Sequence, residues 1–111
     1  MITLGERSFA GPFLAPLWSP PRAPGLYAVM IPGWRLLMFH PVHFGEAADL
    51  SADGVVKGHP AYPDWLALAG TEWNLYLATL EMHQSSEAER QALRRSLAGV
   101  MPSTLRGPLH A

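Results

Sequence analysis

Proline placement constrains this chain more than any other feature. Five of its 11 prolines, Pro12, Pro16, Pro20, Pro21 and Pro24, fall within the first 24 residues. Proline fixes φ and offers no backbone N–H, so this spacing predicts an extended arm over 1–23 with no regular element of any length. Phe9, Phe13, Leu14, Leu17 and Trp18 lie between the prolines. The arm is therefore expected to pack down on a core instead of hanging free. Regular structure is expected from residue 24 onward, in a single domain over 24–105, with a tail over 106–111.

Within that domain the run 26–31 is apolar without helical periodicity, Pro32-Gly33 signals a turn, and 34–39 is a second apolar run. Together they predict a β-hairpin. Pro41 marks an edge strand or a bulge, and 42–45 continues the strand beyond it. Residues 46–58 are polar, with a short turn of helix expected near 47–50. Pro63 suits the first turn of a helix that carries Trp65, Leu66, Leu68 and Ala69 and stops at Gly70. Alternation over 73–80 predicts a strand with Trp73, Leu75, Leu77 and Thr79 on one face. Ser86 and Glu89 have the spacing of a capping box. It opens a helix over 87–98, with Ala88, Ala92, Leu93 and Leu97 toward a core and Gly99 at its end. The order β-β-α-α-β-α describes an α+β domain: a small sheet opened by a β-hairpin, with helices packed against it.

Composition narrows the function classes. A chain of 111 residues is one domain and buries roughly 65% of its unfolded surface. Only 15% of residues are charged, against about 25% in a typical domain. So little charge predicts that part of the surface is covered by a partner or a second copy. The four Trp either join such an interface or fill the core. Without Cys, disulfide and thiolate chemistry are excluded. No apolar run approaches the ~20 residues of a membrane span, and residues 1–7 lack a basic start followed by an apolar stretch. A cytoplasmic protein without a membrane partner is the expectation.

A net charge of −1 argues against strong nonspecific binding to nucleic acid. Its distribution is uneven. From Glu46 to Glu89 there are eight acids and one base, Lys57, whereas from Arg90 onward there are four Arg and no acid. A polyanion would approach near the last helix. The alternative is a solvated helix face on which Glu87, Glu89, Arg90, Arg94 and Arg95 form local ion pairs.

Two short motifs carry a resemblance. Gly25-Leu26-Tyr27 opens the hairpin, and His43-Phe44-Gly45-Glu46-Ala47-Ala48-Asp49-Leu50 closes it and enters the following turn. Their order and spacing, followed by the final helix and Pro102, resemble the GIY-YIG nuclease domain over 24–105, roughly three quarters of the chain. In that family a Tyr stands where this chain has His43. The resemblance implies an α+β fold and, where the site is intact, phosphodiester hydrolysis with Mg²⁺ or Mn²⁺. Such chemistry needs a carboxylate for the metal, a cation for the phosphate and a base for the nucleophile. The family's metal-binding Glu falls near Leu93 or Arg94, neither of which can hold a cation. Its helical Arg falls near Asp53, which has the opposite charge, so Arg35 or Lys57 would have to substitute. Its closing Asn has no match near Thr104 and Leu105. Tyr27 remains, and His43 can handle a proton with its unperturbed pKa of ~6.5. The resemblance therefore implies a degenerate domain that has lost nuclease catalysis. It would act as an interaction module for nucleic acid near Arg90 and Arg94, or for protein through the Pro-rich arm.

Two other readings stay open. One is a hydrolase with a rebuilt site, in which Tyr27, His43 and Glu46 are the catalytic candidates and Glu46 orients the His43 imidazole. Arg35, Lys57, Arg90 and Arg94 are then the candidates for binding substrate. The other is a structural subunit of a homo-oligomer, whose arm crosses to a neighbour. His40, His43 and His59 with Glu46 or Asp49 offer zinc-type ligands, but the spacing is no strong metal motif and scattered, partly exposed His residues fit it better. No resident metal or cofactor is assigned. Trp65, Trp73 and Tyr76 either stack on bases or pack in the core. No glycine-rich phosphate loop or nucleophile elbow is present, and Ser85-Ser86 is a cap signal first.

Overall fold

In the computed structural model, which describes residues 1–33, 38–52 and 54–98, a hairpin opens at Gly25, but its second strand starts at Phe39, at the end of the predicted 34–39 run, and residues 34–37 lie outside the described residues. Strands β3 (Gly25–Pro32) and β4 (Phe39–Ala47) pair antiparallel, with Tyr27 opposite Gly45 and Val29 opposite His43. The register shifts between Val29 and Met30, beside Pro41. Proline interrupts the ladder at low cost there because β4 is an edge strand. Strand β5 (Tyr76–Glu81) pairs with the other side of β3. Residues 25–30 of β3 are all buried. The strand shows no alternation because both of its faces are covered.

The N-terminal prolines do not prevent regular structure, contrary to the expectation for 1–23. Strand β1 (Ile2–Leu4) and strand β2 (Arg7–Leu14) form a hairpin, and β2 then pairs with β5. The antiparallel sheet has the order β1-β2-β5-β3-β4. Each proline sits where a missing N–H costs little. Pro12 lies in the irregularity between Ala10 and Phe13, where Gly11 adopts φ 120°, a conformation open to glycine. Pro16 starts a 3₁₀ turn over Ala15–Leu17, and Pro20, Pro21 and Pro24 lie in the connection to β3. The segment does pack down, as its apolar residues predict, with Phe9 and Ala15 buried.

Helix α1 (Tyr62–Ala69) has Pro63 in its first turn and ends at Gly70, whose φ is 84°, as the proline and glycine positions predict. Residues 48–52 and 54–60 trace turns and bends instead of the short helix expected near 47–50. Strand β5 starts later than the alternation predicts. The Thr71 side chain accepts from the Trp73 N–H, and Glu72–Asn74 form a 3₁₀ turn that leaves Trp73 exposed. Helix α2 (Glu87–Ala98) begins at the expected capping box. The Glu89 N–H donates to Ser86 Oγ at 3.1 Å, and the Ser86 N–H donates to Glu89 Oε1 at 3.0 Å. These bonds hold the Glu89 carboxyl below the usual range.

The sheet carries a core on each face. Helix α2 closes one, where Leu97 meets Leu26, Ala28, Met30, Phe44 and Ala78. Trp65 of α1 closes the other, against Tyr27, Val29, Val42, Leu75 and Leu77. The fold is α+β, a small sheet with helices against it, and no described helix is long and apolar enough to cross a membrane. The expected end of α2 at Gly99, the tail over 106–111 and the positions of Arg35 and Asp53 lie outside the described residues.

Candidate functional site: a cleft at the open edge of the sheet

Side chains alternate between the two faces along β4. Phe44 joins the core under α2, and Glu46 reaches two α2 side chains. His43 lies on the opposite face, where its ring centroid is 4.9 Å from that of Trp65. Gly45 shares that face, and a Cβ there would collide with the Tyr27 ring. The phenol of Tyr27 thus lies across its cross-strand neighbour and out toward the edge of β4. Pairing an aromatic with an edge glycine is a known way to cover such a gap.

At that edge a cavity of about 290 Å³ is lined by Tyr27, His43, Glu46, His59, Gln91 and Arg94, among others. The Tyr27 and His43 ring centroids are 5.8 Å apart, and those of His43 and His59 are 5.0 Å apart. His59 stacks on Trp65 at 4.8 Å. Its Nδ1 accepts the Ala61 N–H at 3.0 Å, which places the ring proton on Nε2. Burial of the Tyr27 phenol, with a smaller contribution from the Glu46 carboxylate, pushes its pKa up to about 12, against an opposing pull from Arg94. Tyr27 therefore keeps its proton and is a donor at neutral pH.

Glu46 does not orient His43, as the sequence had implied. It accepts from Arg90 Nε at 2.8 Å and from Gln91 Nε2 at 3.1 Å. Arg90 is also not the exposed, substrate-binding cation expected. It is 5% exposed, and besides Glu46 it donates to the carbonyl and hydroxyl of Ser85. Gln91 continues the chain by accepting from Arg94 Nε at 2.8 Å. The sequence Ser85, Arg90, Glu46, Gln91, Arg94 is thus one hydrogen-bonded network. Its last member faces the cleft with no carboxylate paired to it among the described residues.

Lys57 lies elsewhere, beside a cavity of about 180 Å³ walled by Trp18, Pro20, Leu50 and Val56. His40 does not join His43 and His59; it packs near Gly33. Among the described residues no group of three His, Asp or Glu converges as metal ligands. The donors of the cleft do not suit Mg²⁺ or Mn²⁺ either. Hard divalent cations need carboxylate oxygen, whereas Glu46 is committed to Arg90 and Gln91 and a guanidinium faces the same space. Trp65 is buried and Tyr76 partly so, while Trp73 is 53% exposed. His59 and Gln91 enter the cleft without any local sequence signal, since turns bring in the first and helix rotation the second. Comparison of the chain with models of protein families, with curated proteins and with solved structures found no match.

Proposed function

We propose that this chain is a GIY-YIG-like α+β domain without metal-dependent nuclease catalysis, serving as a binding module for an anionic partner, with nucleic acid foremost. The observation that carries this reading is Arg94. The resemblance places the metal-binding carboxylate at or beside this position, and a guanidinium there lines the cleft next to Tyr27. A cation fixed to the chain repels a divalent metal and attracts phosphate oxygen. The carboxylate that lines the cleft among the described residues, Glu46, is neutralised by Arg90 at 2.8 Å. Incubation of the protein with DNA and RNA in Mg²⁺ or Mn²⁺ tests this reading. No cleavage is expected, and cleavage that disappears in Tyr27→Phe would overturn it.

A second reading, a rebuilt metal-independent hydrolase, is favoured by one observation: Tyr27 and His43 share a face and a cleft, with ring centroids 5.8 Å apart. It requires His43 and Tyr27 to act without Glu46. Turnover of an activated phosphodiester in EDTA, lost in His43→Ala, would support it over a binding module.

A further inference from the structure

The cleft's donors favour one ligand chemistry. Arg94 is held through Nε by Gln91, so the terminal N–H groups of its guanidinium are left for a ligand. The Tyr27 hydroxyl makes no hydrogen bond to a described residue, and Tyr27 lines the same cavity. The Nδ1 of His59 is taken by the Ala61 N–H, which leaves Nε2–H as its one donor. Three donors of different kinds, from β3, from the turn before α1 and from α2, therefore border one cavity of about 290 Å³. Each is fixed from behind. Tyr27 rests on Gly45, His59 stacks on Trp65, and Arg94 ends the network that starts at Ser85. Donors held in place before binding lose little freedom on binding.

We propose that this cleft binds a tetrahedral oxyanion, the terminal phosphate monoester of a nucleotide or of a nucleic-acid end, through Arg94, Tyr27 and His59. A planar carboxylate is satisfied by the two parallel N–H groups of a guanidinium alone. A phosphate presents further oxygens, which Tyr27 and His59 take up. The monoester also carries about one more negative charge than a backbone diester, so the Arg94 guanidinium, with no carboxylate paired to it among the described residues, acts on it more strongly. This inference rests on the anion-binding reading above and narrows it from a backbone to an end.

Isothermal titration of the full chain tests it with four probes: inorganic phosphate, acetate, a short 5′-phosphorylated oligodeoxynucleotide, and the same oligonucleotide without the phosphate. The phosphorylated oligonucleotide should bind at least tenfold more tightly than its unphosphorylated form, and inorganic phosphate should compete where acetate does not. Arg94→Ala should abolish that preference. Arg95→Ala removes the same charge from an exposed position on the same helix and should keep it. Tyr27→Phe should weaken it several-fold. Thermal unfolding of each variant establishes that it is folded, and Arg94→Lys, which keeps the charge but not the fork, should restore only part of the preference. Equal affinity for the two oligonucleotides overturns the monoester site and leaves the broader anion-binding reading standing. Binding of neither, or an undiminished preference in folded Arg94→Ala, also overturns it. Metal-dependent cleavage overturns the broader reading by a separate measurement.

Discussion

One face of the sheet is closed by a single helix, the other by a short helix and a series of turns. Under α2 the apolar core runs to the margin, and the polar groups at that margin are internally paired, as in Arg90 with Glu46 and Ser85. On the face under Trp65 the centre is equally apolar, but the margin at β4 opens into a cleft whose donors face outward. Arg90 and Arg94 stand one helical turn apart and differ for this reason. One completes a closed face and the other borders an open one. The difference shows that a residue's role here follows from which margin it reaches, not from its charge or its helix.

The strongest way to break the comparison is to remove the centre of the open-margined face. Trp65 is 1% exposed, and Trp65→Ala should cost about 3–5 kcal/mol, seen as a lower denaturant midpoint. It should also free the His43 and His59 rings that lean on the indole. The arginine pair sharpens the contrast directly. Arg90→Met leaves Glu46 unpaired beside the core and should cost about 3 kcal/mol, most of it recovered in the double variant Glu46→Leu/Arg90→Met. Arg94→Ala should change stability by less than about 0.5 kcal/mol. Equal losses for the two arginines would erase the distinction between the margins.

Tyr27 gives a pH signature of the cleft face. Its folded pKa is raised to about 12 by burial and Glu46, above the unfolded value of about 10. Below pH 10 both states hold the proton and the contribution is complete. Between about pH 10 and 12 the unfolded chain releases its proton first, so stability falls as pH rises, by roughly 2 kcal/mol. The difference in unfolding free energy between the wild type and Tyr27→Phe, followed across this window, should shrink accordingly. A smaller effect than the loss of Trp65 or Arg90 belongs to the start of the helix that closes the other face. Ser86→Ala removes the bond that the Glu89 N–H donates to Ser86 Oγ, keeps the one from the Ser86 backbone N–H, and should cost about 1 kcal/mol. The Glu89 carboxyl should stay below its ordinary range, because the Ser86 backbone N–H, the largest cause of its lowering, remains.

Local chemistry was legible wherever neighbours in sequence decide the outcome. The opening of the β3–β4 hairpin, the glycine stop of α1 and the reciprocal Ser86–Glu89 cap follow from side chains within a few residues of one another. Proline spacing over 1–23 misled because a proline's cost depends on which N–H the sheet would have used. At a bulge, a 3₁₀ start or a connection it uses none. The inner face of α2 misled in a related way. Helical spacing favours Ala88 and Ala92 as core residues, yet both are exposed, while Arg90 is buried. Burying a guanidinium needs a carboxylate, and Glu46 supplies it from 44 residues away.

The sequence by itself determined the α+β class, the stop of α1 at Gly70 and the cap that starts α2. Each is fixed by short-range sterics and hydrogen bonding. Tertiary structure alone decided that His59, Gln91 and Arg94 join Tyr27, His43 and Glu46 at one edge, that Glu46 bonds to α2 there, and that two arginines four positions apart face different surroundings. Those outcomes depend on strand alternation and helix rotation acting together. Neither is readable from either element alone, because a side chain's environment is set by the element packed against it.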